Sequence, residues 1–203
     1  MKHLKIQQLQ CMHIGPVDLT VDAGQCVSIS GPSGTGKSIL LKALIDLIPN
    51  TGHVSLNSDR REQMKASEWR RQVGLLPAES FWWCQHVGQH FPELSDDQKT
   101  WFTELGFTQD VLAWDISRCS TGERQRLALL RLLCHKPVAL LLDEPTANLD
   151  ATNTAKVETI VGAYRELHQC PVIWVSHDQP QTRCVATEYY SLEHDGQLQK
   201  VMA

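Results

Sequence analysis

The chain has 203 residues, 42% of them hydrophobic and 21% charged, with a formal net charge of −4 and a pI of about 6.1. That length suits one sizeable core, or one core with a small appended lobe. The acidic balance argues against broad attraction to nucleic acid, so no nucleic-acid partner is expected.

In chain order, the opening MKHLKIQQLQ carries basic residues but no apolar stretch of the kind a secretory signal needs. Leu4–Leu9 and Val17–Val21 are short strand candidates, and Ala23-Gly24 turns the chain into a strand at Cys26–Ser30. A glycine-rich loop follows directly, then an apolar helix from Ser38 to about Ile48, ended by Pro49-Asn50. Gly52–Leu56 and Val73–Leu76 read as further strands. Between them Arg60, Arg61, Lys65, Arg70 and Arg71 are interrupted by Glu62 and Glu68, which reads as a solvated face rather than a phosphate-binding surface. From Ser80 to His135 the character is helical. A helix is expected near Ser95–Leu105, capped by Ser95 with Asp96 and Asp97 in its first turn, and another near Gly122–Cys134. Then come a strand at Val138–Leu142, a helix at about Ala151–His168 and a strand at Val172–Ser176. Unbroken apolar runs this short fit strands buried on both faces of a parallel sheet. They also fall far below the roughly 18 residues of a membrane span, so any spans must come from another chain. His194-Asp195-Gly196 reads as the turn of a final hairpin. The seven cysteines are odd in number, scattered and free of any CxxC pair, as suits reduced thiols in the cytosol. Cys84, His86 and His90 lack a fourth ligand and a familiar spacing, and are not read as a metal site. No internal repeat, low-complexity segment or long linker is evident.

Chemistry concentrates in two segments. GPSGTGKS at residues 31–38 satisfies G-x-x-x-x-G-K-[ST], between an apolar strand and a helix. Glycines let such a loop wrap closely round phosphates, so that successive N–H groups point inward at a helix start whose dipole favours anions. The nucleotide-contact set is Gly31, Pro32, Ser33, Gly34, Thr35, Gly36, Lys37, Ser38 and Ile39. Lys37 would reach the β and γ phosphates and Ser38 would ligate Mg2+. ALLLDEP at residues 139–145 is the second segment. Its strand carries Asp143 to the sheet edge as a Mg2+ ligand acting through water, and Glu144 as general base toward the attacking water. Taken alone, the same residues are also a buried strand capped by acids. The upstream phosphate loop favours the catalytic reading.

Downstream of the loop, Cys119-Ser120-Thr121-Gly122-Glu123 with its continuation RQRLALLRLL resembles the LSGGQ or LSGGE signature of the ATP-binding cassette (ABC) family. Thr146-Ala147-Asn148-Leu149-Asp150 resembles that family's D-loop, and Trp174-Val175-Ser176-His177-Asp178 its switch segment. The resemblance runs from about residue 4 to residue 196. It implies a P-loop NTPase core of α/β class, with a parallel sheet, an antiparallel β portion and an inserted helical lobe. Residues 1–203 would then be one domain, with the lobe at about 80–135. It further implies hydrolysis of ATP in a head-to-tail dimer, either a homodimer or a pair with a paralogous ABC subunit. Ser120 and Gly122 would serve the γ-phosphate held by the other subunit, and Asp150 would lie at the dimer interface. His177 would contact the γ-phosphate. An integral membrane transporter subunit would receive the motion, making the chain cytoplasmic and peripheral on the inner face of the membrane. A soluble ABC ATPase without a transport role, and a small-molecule P-loop kinase, are the alternatives. The kinase leaves Ser120–Arg126 and His177 without a role.

Three positions depart from the family pattern. Pro77 is followed by Ala78 and Glu79 where a glutamine is usual, and alanine offers no oxygen. Thr121 replaces the first signature glycine, and a β-branched residue disfavours φ > 0. Cys11-Met12-His13-Ile14 holds no Phe, Tyr or Trp where an adenine-stacking aromatic is common, leaving His13 to stack. Finally, Phe81-Trp82-Trp83 cannot all face one core, because neighbours on an extended chain alternate sides. An exposed member is expected, either against a membrane partner or within the helical lobe.

Overall fold

A computed structural model describes residues 2–177 and 179–201. The chain runs through β1 (His3–Cys11), β2 (Ile14–Asp22), β3 (Cys26–Ser30), α1 (Lys37–Leu44), β4 (Thr51–Leu56), β5 (Asp59–Arg60), α2 (Ala66–Gln72) and β6 (Val73–Leu76). It continues through α3 (Asp96–Glu104), α4 (Thr121–Cys134), β7 (Ala139–Asp143), α5 (Ala151–His168), β8 (Val172–Val175), α6 (Gln179–Val185), β9 (Glu188–Leu192) and β10 (Leu198–Val201). Single 3-10 turns at residues 61–63, 87–90, 109–113 and 116–118 complete it.

Two sheets result. The first is antiparallel, in the order β2-β1-β4-β5. Alternation of apolar and polar residues along β1 and β2 turns Leu4, Ile6, Val17, Leu19 and Val21 inward, with Leu4 opposite Val21 and Ile6 opposite Leu19. The second sheet has the order β10-β9-β3-β8-β7-β6. From β9 to β6 its strands are parallel, and β10 closes it as the antiparallel hairpin expected around His194–Gly196. Every residue of β7 and β8 is buried, which explains their unbroken apolar runs. The two-residue period of the strands divides them between two cores. Ile29, Leu141, Ile173 and Val175 pack with α1 and the antiparallel sheet, while Leu140, Leu142 and Trp174 pack with α4 and α5.

Between β6 and α4 the chain is less helical than expected: it holds α3 and three 3-10 turns, joined by irregular segments. Ser95 is the N-cap of α3, as expected: Gln98 N–H donates to Ser95 Oγ at 3.4 Å, and Ser95 N–H to Gln98 Oε1 at 3.1 Å. The Gln98 amide also donates to Cys134 O at 3.0 Å, tying this region to the end of α4. Among the described residues no helix is long and apolar enough to cross a membrane.

Two further expectations needed correction. α1 stops at Leu44 rather than near Ile48, because Asp46 adopts a left-handed backbone (φ 58°). Asp46 N–H then donates to Ala43 O and Leu47 N–H to Lys42 O, the pair of bonds that closes a helix end. The basic cluster is not uniformly solvated either. Arg61 is buried and donates to Ala43 O at 2.8 Å and to Asn50 Oδ1 at 2.7 Å, so it ties the end of α1 to the strand that follows. Nearby, the Trp69 indole of α2 donates to Leu44 O at 2.9 Å, bracing the same helix end. Arg71 by contrast is exposed. Removing the Arg61 guanidinium takes away the bond to half-buried Asn50 Oδ1 and the second, buried bond to Ala43 O, so Arg61→Ala is expected to cost about 1–3 kcal/mol in urea denaturation. Arg71→Ala should stay within about 0.5 kcal/mol of the parent. Equal effects would return Arg61 to the solvated face.

Candidate nucleotide-binding site

Because β3, β8 and β7 are parallel neighbours, the segments that leave their C-terminal ends meet at one sheet edge. Residues 31–36 follow β3. Glu144 follows β7, and Ser176-His177 follows β8.

The loop after β3 needs glycine at two tight points. A Cβ on Gly31 (φ 137°) would lie 2.3 Å from Leu192 O, and one on Gly36 (φ 100°) 2.6 Å from Ile14 Cδ1. Gly36 is the N-cap of α1, so the first helical N–H groups face the space enclosed by the loop. Thr35 is turned inward and its hydroxyl donates to Pro32 O at 3.1 Å. Lys37 folds back over the loop, its ammonium donating to Gly31 O at 2.8 Å and Pro32 O at 2.9 Å. Burial pulls the Lys37 pKa down, partly opposed by the Glu144 and Asp143 carboxylates.

A cleft of about 280 Å³ opens here, lined by Ser33, Gly34, Gly36, Lys37, Ser38, Ile39, Asp143, Glu144 and His177. Asp143 Oδ1 is buried and has no hydrogen-bond partner among the described residues, and Glu144 Oε1, also buried, meets only the His177 ring as an ion pair. A bare buried acceptor such as Asp143 Oδ1 is costly unless something electropositive meets it, and with the Ser38 hydroxyl it forms a donor set suited to a hard divalent cation and its waters. Lys37 and the N–H groups at the start of α1 provide the complementary surface for a polyphosphate. Glu144 holds a left-handed backbone (φ 49°), a strain of about 1 kcal/mol or more for a non-glycine residue. The Glu144 N–H bond to Val175 O at 3.0 Å fixes it there. Burial raises the Glu144 pKa; His177 opposes the shift, Asp143 adds to it and Lys37 opposes it. His177 Nε2 stands 3.3 Å from Glu144 Oε1, an ion pair when the imidazole is protonated. Such a carboxylate, partly desolvated and next to the unpartnered Asp143 oxygen, is placed to take a proton from water.

The remaining expected contacts lie elsewhere. Ser120 is the N-cap of α4: Glu123 N–H donates to Ser120 Oγ at 3.2 Å, and Ser120 N–H and Oγ each donate to Glu123 Oε2 at 2.8 Å. Thr121 is the first helical residue and is not among the residues with positive φ, so its β-branch meets no backbone conflict. A Cβ on Gly122 would lie 3.0 Å from Leu149 Cδ2, which puts the start of α4 against the 146–150 loop. Asp150 ends that loop as the N-cap of α5, accepting from Asn153 N–H at 2.8 Å. Ser120, Gly122 and Asp150 thus form a second, neighbouring surface and do not line the cleft. Asp178 lies outside the described residues.

Ala78 and Glu79 are exposed and do not line the cleft either. Instead Gln125 of α4, which the sequence reading passed over, reaches this loop, donating to Pro77 O at 3.5 Å and accepting from Ser80 Oγ at 3.4 Å. A polar residue one turn before buried Leu129 was its one sequence signal. His13 sits beside the phosphate loop, with Nε2 3.2 Å from Thr35 O. Phe81 and Trp83 are 79% and 71% exposed, while Trp82 turns inward, as alternation requires. Arg131 lies 4.4 Å from the centroid of Trp82 and 4.9 Å from that of Trp83, fixing the pair. His90 accepts from Trp83 and Cys84 N–H at Nε2, at 3.0 and 2.9 Å, and its Nδ1 donates to His86 O at 3.1 Å. With both ring nitrogens engaged by backbone, His90 is a structural residue.

Comparison with known proteins agrees with this geometry. The family model described as ABC transporter matches residues 14–147. The aliphatic sulfonates import ATP-binding protein SsuB 3 of Rhodococcus jostii (strain RHA1) is 33% identical over 181 residues, 89% of this chain and 65% of that protein. The probable iron export ATP-binding protein FetA of Escherichia coli (strain K12) is 28% identical over 197 residues, 91% of this chain and 86% of its own length. The chain thus spans just under two thirds of the Rhodococcus relative. A solved ATP-binding subunit of an ABC transporter superposes with a TM-score of 0.86 at 19% identity, over 98% of this chain and 90% of that one, which speaks to the fold. From its sequence match and its architecture, this chain belongs to the ABC transporter family.

Proposed function

We propose that the chain binds and hydrolyses Mg·ATP, and that this turnover energises transport through separate membrane-spanning subunits. The observation that carries the reading is the cleft joining Lys37 and Ser38 to the buried Asp143 oxygen, which has no hydrogen-bond partner among the described residues, and to the Glu144–His177 pair. Ser38 and Asp143 would hold Mg2+, which neutralises phosphate charge when bound. Lys37 exchanges the Gly31 and Pro32 carbonyls for β and γ phosphate oxygens. Glu144 takes the proton of a water as its oxygen bonds to the γ phosphorus, while the bond from that phosphorus to the β–γ bridging oxygen breaks. His177 leaves Glu144 to donate to the γ-phosphate. The relatives named above include both import and export proteins, so the proposal concerns the motor rather than a cargo.

Residues 1–203 form one nucleotide-binding domain in this reading, with about 80–135 as its helical lobe. The exposed surface of Ser120, Gly122 and Asp150 faces a second copy or a paralogue, where the start of α4 offers N–H groups to the other subunit's γ-phosphate. The domain works at the cytoplasmic face of a membrane through its partner subunits. Exposed Phe81 and Trp83, backed by Arg131, suit an interface core with such a partner, where aromatic and arginine side chains are favoured.

Glu144→Gln keeps the shape of the base and removes its basicity. It should bind ATP as the parent does, accumulate as an ATP-bound dimer in size-exclusion chromatography, and lose about 10²- to 10⁴-fold in turnover. A parental ATPase rate would remove Glu144 as the base. Trp83→Ala should weaken co-purification with the membrane subunit about tenfold or more while leaving ATP affinity unchanged, as expected for an interface anchor. Unchanged co-purification would place the aromatic pair outside the interface.

A further inference from the structure

Glu144 and His177 lie on separate loops, and their own contact at 3.3 Å joins two titratable groups that must part when His177 turns to phosphate. A second, neutral link between the loops is buried behind them. Thr146 follows Glu144 by two residues and Ser176 immediately precedes His177. Both, with Gln181 of α6, are at most 9% exposed. The Thr146 hydroxyl lies 2.9 Å from Gln181 Oε1 and 2.8 Å from Gln181 Nε2, positioned to donate to the first and accept from the second. Ser176 Oγ donates to the same Oε1 at 3.2 Å, and Nε2 donates to Glu158 Oε1 of α5 at 3.0 Å. One amide therefore joins the loop after β7, the loop after β8, and α5.

We propose that Gln181 is a positioning residue for ATP hydrolysis: it holds the Glu144 loop and the His177 loop in fixed relation while the direct Glu144–His177 contact is broken. The inference rests on the Mg·ATP reading above. The chemistry of the side chain fits the role. The Glu158 carboxylate requires a donor and the Ser176 hydroxyl an acceptor, and an amide supplies both without charge. Glutamate at 181 would set a second carboxylate against Glu158, and leucine would leave three polar groups without their partner. The Gln181 bonds to Thr146, Ser176 and Glu158 all go to other elements, so they set the relation between those elements. Buried networks with their members satisfied are rigid, which is what two loops that must share one water and one phosphate require.

The test compares the full-length parent with Gln181→Leu, Gln181→Glu and Thr146→Val. Gln181→Leu is expected to lower kcat by about 10- to 100-fold through misplacement of the reacting groups. Its KM for ATP should stay within about threefold, because the phosphate loop is untouched. Gln181→Glu should be intermediate, and adding Thr146→Val to Gln181→Leu should cost little more, since the shared contact is already gone. Backbone hydrogen exchange, which needs no turnover, should quicken about tenfold at the Glu144 amide in Gln181→Leu and not at Lys37 or Ser38. Gln181→Leu with kcat within about twofold of the parent, or kcat and KM changing in proportion, would overturn the role of Gln181. Unchanged exchange at Glu144 would do the same. A parent chain that hydrolyses no ATP would instead count against the Mg·ATP reading, and the exchange measurement would still decide the part played by Gln181.

Discussion

The parallel hydrogen bonds that hold β8 between β3 and β7 bring Ser30, Val175 and Asp143 to the ends of adjacent strands. Each strand end opens at once into a segment of the site. Parallel pairing is what makes this possible, since an antiparallel neighbour would send the following loop to the opposite edge. Burial of β7 and β8 on both faces fixes their register, because slipping by one residue would exchange the apolar sets packed into the two cores. The antiparallel sheet contributes from the side: Ile14 and His13 lean on the phosphate loop at Gly36.

The edge collects charge that the resting chain does not fully satisfy. Lys37 rests on two backbone carbonyls, and the buried Asp143 Oδ1 has no hydrogen-bond partner among the described residues. Glu144 is held in a left-handed backbone that places its side chain beside His177 rather than in the strand direction. Unsatisfied buried groups and local strain of this kind are stabilised by the surrounding core, and they are released when a ligand supplies the missing partners. The second surface is the reverse case. Ser120 and Asp150 already bond to their own helix starts, so they are ordered before any partner arrives.

Much of this was legible in the sequence because it depends on local rules. The apolar runs of β3, β7 and β8, the glycine spacing of residues 31–38 and the Ser95 cap all follow from short-range sterics and hydrogen bonding. Other features turned on distant partners or on unusual residues. The end of α1 is set by Asp46 in a conformation more often given to glycine, so the sequence showed no stop before Pro49. α2 has seven residues and a largely polar face, too short for a helical period to stand out. Arg61 sits in a run of charges that looks solvated until Ala43 and Asn50 are brought against it. Gln125 bonds to residues 45 and 48 positions away and Gln181 to residues as far as 35 positions away, and no periodicity marks such contacts. Thr121 looked like a conflict only because the signature has glycine there; as the first residue of α4 it meets none.

The central claim is a division of labour. In the proposed reading Lys37, Ser38, Asp143, Glu144 and His177 would serve the nucleotide held by their own chain, while Ser120 and Gly122 would serve the one held by its partner. It is tested most directly by mixing two inactive variants, Lys37→Ala and Ser120→Trp, and measuring ATPase activity. In a mixed dimer one site carries both defects and the other carries neither, so the account predicts that mixing restores up to about a quarter of the parental rate, given random pairing and independent sites. No recovery on mixing, with mixed dimers demonstrated by differential tagging, would contradict it.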